Sequence, residues 1–341
     1  MRCELLILAL SLGGFLSLAL PLAGAHAAEA SAETAETAER AAAMPARPPL
    51  LPMEDFFRNP DTAAYAISPD GTKLAFAKPW ERRMNVTVRD LATGEERRVT
   101  SAKERDIAGF FWKGNDRIVY VQDSGGDENF HIYVVSARGG EARDLTPFEG
   151  VRAGVLDDLE DDPAHMLIEL NKRNPEVFDV FRCDIATGEL TQVAENPGNI
   201  AGWMTDHDGK LRAAYATDGV NASLLYRTTE DQEFRTLITT NFRETFVPLL
   251  FAYDNKLLYV ESNLSRDKTA IYTFDPEANK TLDLVFEHPE VDVGSILHSK
   301  KRKIITGVTY VTDRDTITSL TRTGRSCKRR WRPSSRSTRW P

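Results

Sequence analysis

A short apolar segment recurs along residues 64–310. Its copies are Leu74-Ala75-Phe76-Ala77, Ile118-Val119-Tyr120-Val121, Met166-Leu167-Ile168-Glu169, Leu211-Arg212-Ala213-Ala214, Leu257-Leu258-Tyr259-Val260 and Ile304-Ile305-Thr306-Gly307. Successive copies begin 44 to 48 residues apart, a spacing that belongs to repeated supersecondary units and not to a helical period. Turns rich in Asp, Asn and Gly precede them, as in Ser68-Pro69-Asp70-Gly71, Lys113-Gly114-Asn115-Asp116, Asp206-His207-Asp208-Gly209 and Tyr253-Asp254-Asn255-Lys256. These residues accept the positive φ angles of tight hairpins. About 12 to 16 residues later a second segment alternates apolar and polar positions, as in Val86-Thr87-Val88-Arg89, Ile132-Tyr133-Val134-Val135, Val180-Phe181-Arg182-Cys183 and Ile271-Tyr272-Thr273-Phe274. Further turns, Ala92-Thr93-Gly94-Glu95, Ala137-Arg138-Gly139-Gly140 and Ala186-Thr187-Gly188-Glu189, lead into a fourth segment such as Glu96 to Thr100.

Four antiparallel strands per repeat predict an all-β chain folded as a β-propeller. Five blades read as complete, and the opening strands of a sixth end near Val311. The ring so predicted is incomplete. An open ring exposes blade faces and strand edges, which invites association or aggregation.

Both ends depart from this pattern. Residues 1–27 hold Arg2, an apolar run from Leu5 to Leu20, Pro21 and the small-x-small triplet Ala25-His26-Ala27, the layout of a cleaved secretory signal. Export to a periplasm or the extracellular space is expected. Residues 28–52 are Ala- and Glu-rich and end in prolines, a tether with too few large apolar groups to bury. The propeller domain is placed at 53–318 and a basic tail at 319–341. Residues 322–341 carry eight of the 43 Lys and Arg and no acid, which leaves a charge of -16 on the rest. Such an abrupt shift to Arg, Ser, Pro and Trp reads as an aberrant end, produced by a frameshift or truncation.

With 51 acidic residues and a net charge of -8, the chain has no general affinity for nucleic acid, which requires a clustered cationic excess. No apolar run after residue 22 has the length of a membrane span. The scattered histidines show no H-x-x-x-H spacing, so no metal or other cofactor is expected. Cys183 sits on an expected strand as a small buried filler. Two loops are candidates for substrate contact or gating, because loops on a rigid scaffold carry function. One is the glycine-containing Asp123-Ser124-Gly125-Gly126-Asp127-Glu128-Asn129, with Asp123, Asp127 and Glu128 as its contacts. The other is the acidic run 157–162, through Asp157, Asp158 and Glu160. It lacks the D-x-D-x-D-G order of a calcium loop.

The stretches MEDFFRNP (53–60), ISPDGTKLAFA (67–77), DIAGFFWKGNDRIVYVQDSGGDENFHIY (106–133) and TDHDGKLR (205–212) resemble the propeller of the prolyl oligopeptidase (S9) family, particularly the exported bacterial dipeptidyl aminopeptidase and acylaminoacyl-peptidase branch. The resemblance covers roughly residues 53 to 313. It implies a propeller that restricts access of short peptides to an α/β-hydrolase domain bearing a Ser-Asp-His triad. The G-x-S-x-G elbow that holds such a serine is absent from the 341 residues, so no catalytic residue carries over and the chain alone is expected to be inactive. The alternative reading is a non-catalytic periplasmic propeller, TolB-like, that binds a protein or peptide partner. A misfolding fragment is a third.

Overall fold

The computed structural model describes residues 50–58 and 60–321, so the expected signal, most of the tether and the basic tail from residue 322 lie outside the described residues. The chain separates into a unit ending at Arg58 and a second unit from Asn59 onward. Among the described residues the first contains one short helix, α1 (Glu54–Phe57). Among the described residues the second holds six antiparallel sheets, five with four strands and one with three, which is the β-propeller that the repeat predicts.

Sheet one is formed by β1 (Ala63–Ile67), β2 (Lys73–Trp80), β3 (Arg83–Asp90) and β4 (Glu96–Arg98). Sheet two follows with β5 (Gly109–Lys113), β6 (Arg117–Gln122), β7 (His131–Ser136) and β8 (Arg143–Asp144). The third contains β9 (Ala153–Asp157), β10 (His165–Asn174), β11 (Val177–Asp184) and β12 (Leu190–Ala194). Sheet four has β13 (Ile200–Thr205), β14 (Leu211–Thr217), β15 (Asn221–Tyr226) and β16 (Arg235–Asn241). Sheet five has β17 (Phe246–Phe251), β18 (Leu258–Ser262), β19 (Ala270–Asp275) and β20 (Lys280–Phe286). The last is built from β21 (Val293–Ser299), β22 (Ile304–Val311) and β23 (Asp315–Ser319). In every sheet the strands are hydrogen-bonded in chain order, and the recurring apolar segment is always the second strand.

That position explains the composition of the segment. Side chains alternate between the two faces of a strand, and here each face meets a different neighbouring sheet. Ile118 on β6 packs against Ala75 and Val86 of sheet one, in a cluster that also includes Trp112 of its own sheet. The next residue, Val119, packs against sheet three with Met166, Ile168 and Cys183. Similarly Leu167 turns away from Met166 and Ile168 to join Leu211 of sheet four. A strand buried on both faces reads as a continuous apolar run, because neither face is left to water. Further clusters join sheets four and five around Tyr226, Phe251 and Phe274, and sheets five and six around Ile271, Val293 and Val308. Among the described residues no such cluster joins sheet six back to sheet one. Tyr65 and Ile67 on β1 and Val311 and Ile317 in sheet six are each at least 45% exposed.

The turns between first and second strands gather at one end, where they stitch consecutive sheets together. The Asp70 amide donates to Asn115 Oδ1 at 3.0 Å. The buried Lys113 ammonium donates to the carbonyls of Asp158 and Leu159, Thr205 donates to Asp157, and the His207 amide donates to Asn255 Oδ1 at 2.9 Å. Tyr253 then hydrogen-bonds His298 Nδ1 at 2.6 Å. Each contact satisfies a polar group that a turn would otherwise leave to solvent.

Two outcomes test these turns. Gly71 and Gly209 both adopt positive φ, +70° and +69°, so an alanine at either incurs left-handed strain of about 1–2 kcal/mol. At Gly71 the added Cβ meets open space, whereas at Gly209 it would lie 2.4 Å from the buried Leu159 Cδ2, adding about 1–3 kcal/mol of overpacking. In denaturant titrations Gly209→Ala is therefore expected to lower the midpoint clearly more than Gly71→Ala; equal losses would refute the turn geometry. The second concerns acid. Burial, with help from His207 and Lys300, holds the His298 imidazole below its ordinary value of 6.5. The unfolded chain thus takes up this proton more readily than the folded one, and stability held above that value is lost as pH falls below it. Between about pH 7.5 and about pH 5.5, the melting temperature of His298→Gln is expected to fall less than that of the parent.

Candidate functional site

At the opposite end, where second strands turn into third strands, sheets two and three border a cavity of about 460 Å³. Its walls are Val121, Phe130 and Phe178, its small floor is Ala108, Ala153 and Gly154, and Arg152 and Glu169 bring charge. Strand register creates the space. Glu169 on β10 pairs directly with Gly154 on β9, and a Cβ at residue 154 would lie 3.1 Å from Glu169 Oε1. Glycine at that one position leaves room beside the carboxylate. Burial pushes the Glu169 carboxyl above its usual range, opposed by the charge of Arg152. The carboxylate accepts no hydrogen bond among the described residues. Arg152 is exposed, and its guanidinium lies 5.6 Å from the Phe130 ring centroid.

The six residues singled out from the sequence divide between the two ends of the propeller. Asp123, Asp127 and Glu128 lie on the β6–β7 loop, next to the cavity through its flanking residues Val121 and Phe130. Asp123 is buried and accepts from Arg105 Nε at 3.1 Å, while its Oδ2 is buried with no hydrogen-bond partner. Asp127 Oδ1 accepts from the amides of Ser124 and Asn129, and so shapes the loop. Glu128 has a φ of +60° and an exposed side chain.

Asp157, Asp158 and Glu160 belong to the stitched end instead. Asp157 Oδ1 accepts from the Leu159 amide at 2.8 Å while its Oδ2 accepts from Thr205. Asp158 is raised by burial, with Lys300 opposing that shift. Glu160 pairs with Lys300 of sheet six at 2.9 Å. The run therefore binds sheets two, three, four and six to one another. The structure does not bring the two acidic loops into one site.

Sequence reasoning missed Phe130, Arg152, Glu169 and Phe178, although Glu169 was visible as the one acid inside a recurring apolar segment. Asn85 opens an N-x-T sequon, yet its side chain is fully buried and bonded to Thr100 and Ala102. Among the described residues no group of three or more His, Cys, Asp or Glu is placed to hold a metal ion. No helix of the described residues is long and apolar enough to cross a membrane. Cys183 is fully buried, and burial pushes its thiol up to about 12, which keeps it protonated and unreactive. The cavity offers a carboxylate and aromatic faces.

No family model matches the chain. The dipeptidyl aminopeptidase BIII of Pseudoxanthomonas mexicana is 32% identical over 259 residues, covering 73% of this chain and 36% of that protein. Dipeptidyl peptidase family member 6 of Caenorhabditis elegans is 23% identical over 282 residues, covering 77% of this chain and 38% of its own length. Among solved structures, a prolyl endopeptidase is similar with a TM-score of 0.46 and 16% identity, covering 81% of this chain and 41% of its own. The chain spans little more than a third of the length of the curated relatives it matches. On its repeats, its sheets and this identity, the chain belongs to the prolyl oligopeptidase (S9) family, of which it is a β-propeller portion.

Proposed function

We propose that this propeller is the substrate-filtering part of an exported serine peptidase that releases dipeptides or acylated amino acids from short peptides. The observation that carries the reading is the 32% identity to a dipeptidyl aminopeptidase across 259 residues. The signal-like residues 1–27 support export. The two dissimilar ends of the propeller support the filter. At one end side-chain bonds join neighbouring sheets, whereas the loops and strand ends of the other include Val220, Phe242 and Val311, each at least 60% exposed. Exposed apolar groups gathered on one face suit contact with a second domain or with peptide.

In the complete enzyme the chemistry would be transfer of an acyl group from a peptide bond to a serine and then to water. Histidine would act as general base and aspartate would orient it. None of these roles falls on a residue of this chain, since it has no G-x-S-x-G string. The purified 341-residue protein is therefore expected neither to hydrolyse chromogenic dipeptide substrates nor to be labelled by a fluorophosphonate. Labelling would overturn the assignment of the nucleophile to another part of the enzyme. Fusion of this chain to the hydrolase portion of the Pseudoxanthomonas mexicana relative tests the filter. The chimera is expected to cleave dipeptidyl substrates while refusing long polypeptides that the hydrolase portion alone accepts. Loss of that difference would leave the binding-module reading in its place.

A further inference from the structure

We propose that the outward faces of sheets one and six form a docking surface for a second copy of this chain, which packs head to tail, sheet six of one copy on sheet one of the next. Strand alternation identifies both faces. In sheet one Ala75, Val86 and Val88 pack against sheet two. Leu74 and Phe76, the neighbours of Ala75, therefore face away from it, as does Ile67, which pairs with Leu74. Tyr65 stacks on Phe76 on that same side, with ring centroids 5.9 Å apart. In sheet six Val308 packs against sheet five, and Tyr310 stacks on Phe286 of sheet five at 6.0 Å. Thr309 and Val311 therefore face outward, and Ile317 stands opposite Thr309. Tyr65, Ile67, Val311 and Ile317 are each at least 45% exposed, a cost in apolar surface that a partner would remove.

Two features select a second copy as the occupant. The first is continuity, since every interior interface sets the same side of one sheet against the opposite side of the next, and sheet six on a second sheet one repeats that contact. The second is charge. At the stitched end the turn of one sheet bonds the turn of the next, as the Asp70 amide does with Asn115 and the His207 amide with Asn255. The corresponding turn of sheet six is Lys300-Lys301-Arg302-Lys303, and a head-to-tail partner sets beside it the turn Ser68–Gly71 with its exposed Asp70. At the other end the turn after β22 and the start of β23 carry the exposed Asp313 and Asp315, which fall beside the exposed Arg82 in the turn after β2. Opposite signs thus meet at both ends of one contact. A polyanion would match the turn 300–303 but neither the apolar face nor Asp313, and an uncharged apolar peptide would leave both turns unmatched. The contact is heterologous, with a different face used on each copy. It concerns the 341-residue chain and does not depend on the peptidase reading.

Sedimentation velocity of the full chain over a wide concentration range tests the proposal. The parent is expected to form oligomers that grow with concentration. Ile67→Lys blocks sheet one and Val311→Lys blocks sheet six, and each variant alone is expected to sediment as a monomer. Their mixture is expected to give a one-to-one dimer, because Ile67→Lys keeps an intact sheet six and Val311→Lys an intact sheet one. Both side chains are exposed, so an unchanged melting temperature at low concentration reports an intact fold; the milder Ile67→Thr and Val311→Thr replace any lysine variant that melts lower. Arg82→Glu is expected to weaken association about threefold, and Asp313→Arg added to the same chain to restore it. A parent that stays monomeric, a blocked variant that still dimerises alone, a mixture that stays monomeric, or a charge swap without recovery would each overturn the proposal. A monomeric parent destabilised by Ile67→Lys would assign that face to another segment of the same chain and overturn it too. None of these readouts involves hydrolysis, so failure here leaves the proposed function standing, and labelling by the fluorophosphonate would leave this contact standing.

Discussion

Each sheet of this propeller has a second strand that is apolar on both faces, and a strand of that kind can be satisfied only by a neighbour on either side. The rest of the architecture follows from that requirement. The turns are short because successive sheets must sit at contact distance, and the residues in them carry hydrogen-bonding side chains that reach the next sheet. Stability is distributed over the interfaces between sheets. At the interface of sheets one and two this means Ala75, Val86 and Ile118, and at that of sheets four and five Tyr226, Phe251 and Phe274. Sheets one and six have one such neighbour each among the described residues, which is why apolar groups remain exposed on both.

The two ends of the propeller solve different problems. At one, buried polar groups are spent on holding sheets together: Lys113 donates its ammonium to two carbonyls, and Asp157 accepts both from its own turn and from Thr205. At the other, Asp123 is engaged by Arg105, but Glu169 a few residues along the neighbouring sheet has no such partner. Most buried polar groups of the fold are satisfied, and Asp123 Oδ2, on the loop that borders the cavity, is one of the few without a partner.

The repeat was legible because it is written in two independent alphabets, apolar runs that need burial on both faces and Asp, Asn or Gly turns that need unusual φ angles. All six recurring segments are second strands, and the four alternating segments named with them lie on third strands. Fourth strands were less legible. β8 is only two residues long, and an outer strand with one buried neighbour needs little hydrophobicity to hold its place. The candidate site was half legible. The β6–β7 loop announced itself by its glycines and acids, and it does border the cavity. Phe130 and Phe178 announced nothing, and Glu169 stood out only as the one acid in a recurring apolar segment, since the three converge from two strands and a loop whose mutual register no local pattern states. The acidic run 157–162 looked like a ligand site because a string of free carboxylates is indistinguishable in sequence from one in which Asp157 is engaged by Thr205 and Glu160 by Lys300.

The pair between Glu160 and Lys300 joins residues 140 positions apart, whereas the other contacts at that end link neighbouring sheets. Mechanically the propeller is a row of layers, each leaning on the next, with a single chord thrown from the third to the sixth. The cluster that seats the sixth layer has only Ile271, Val293 and Val308 fully buried, and both partners of the chord are exposed, with relative side-chain exposures of 64% and 58%. Water and salt therefore reach the chord readily. Amide exchange in such a row should begin at β21–β23 and advance inward layer by layer, with the third layer, clamped on both sides, opening last.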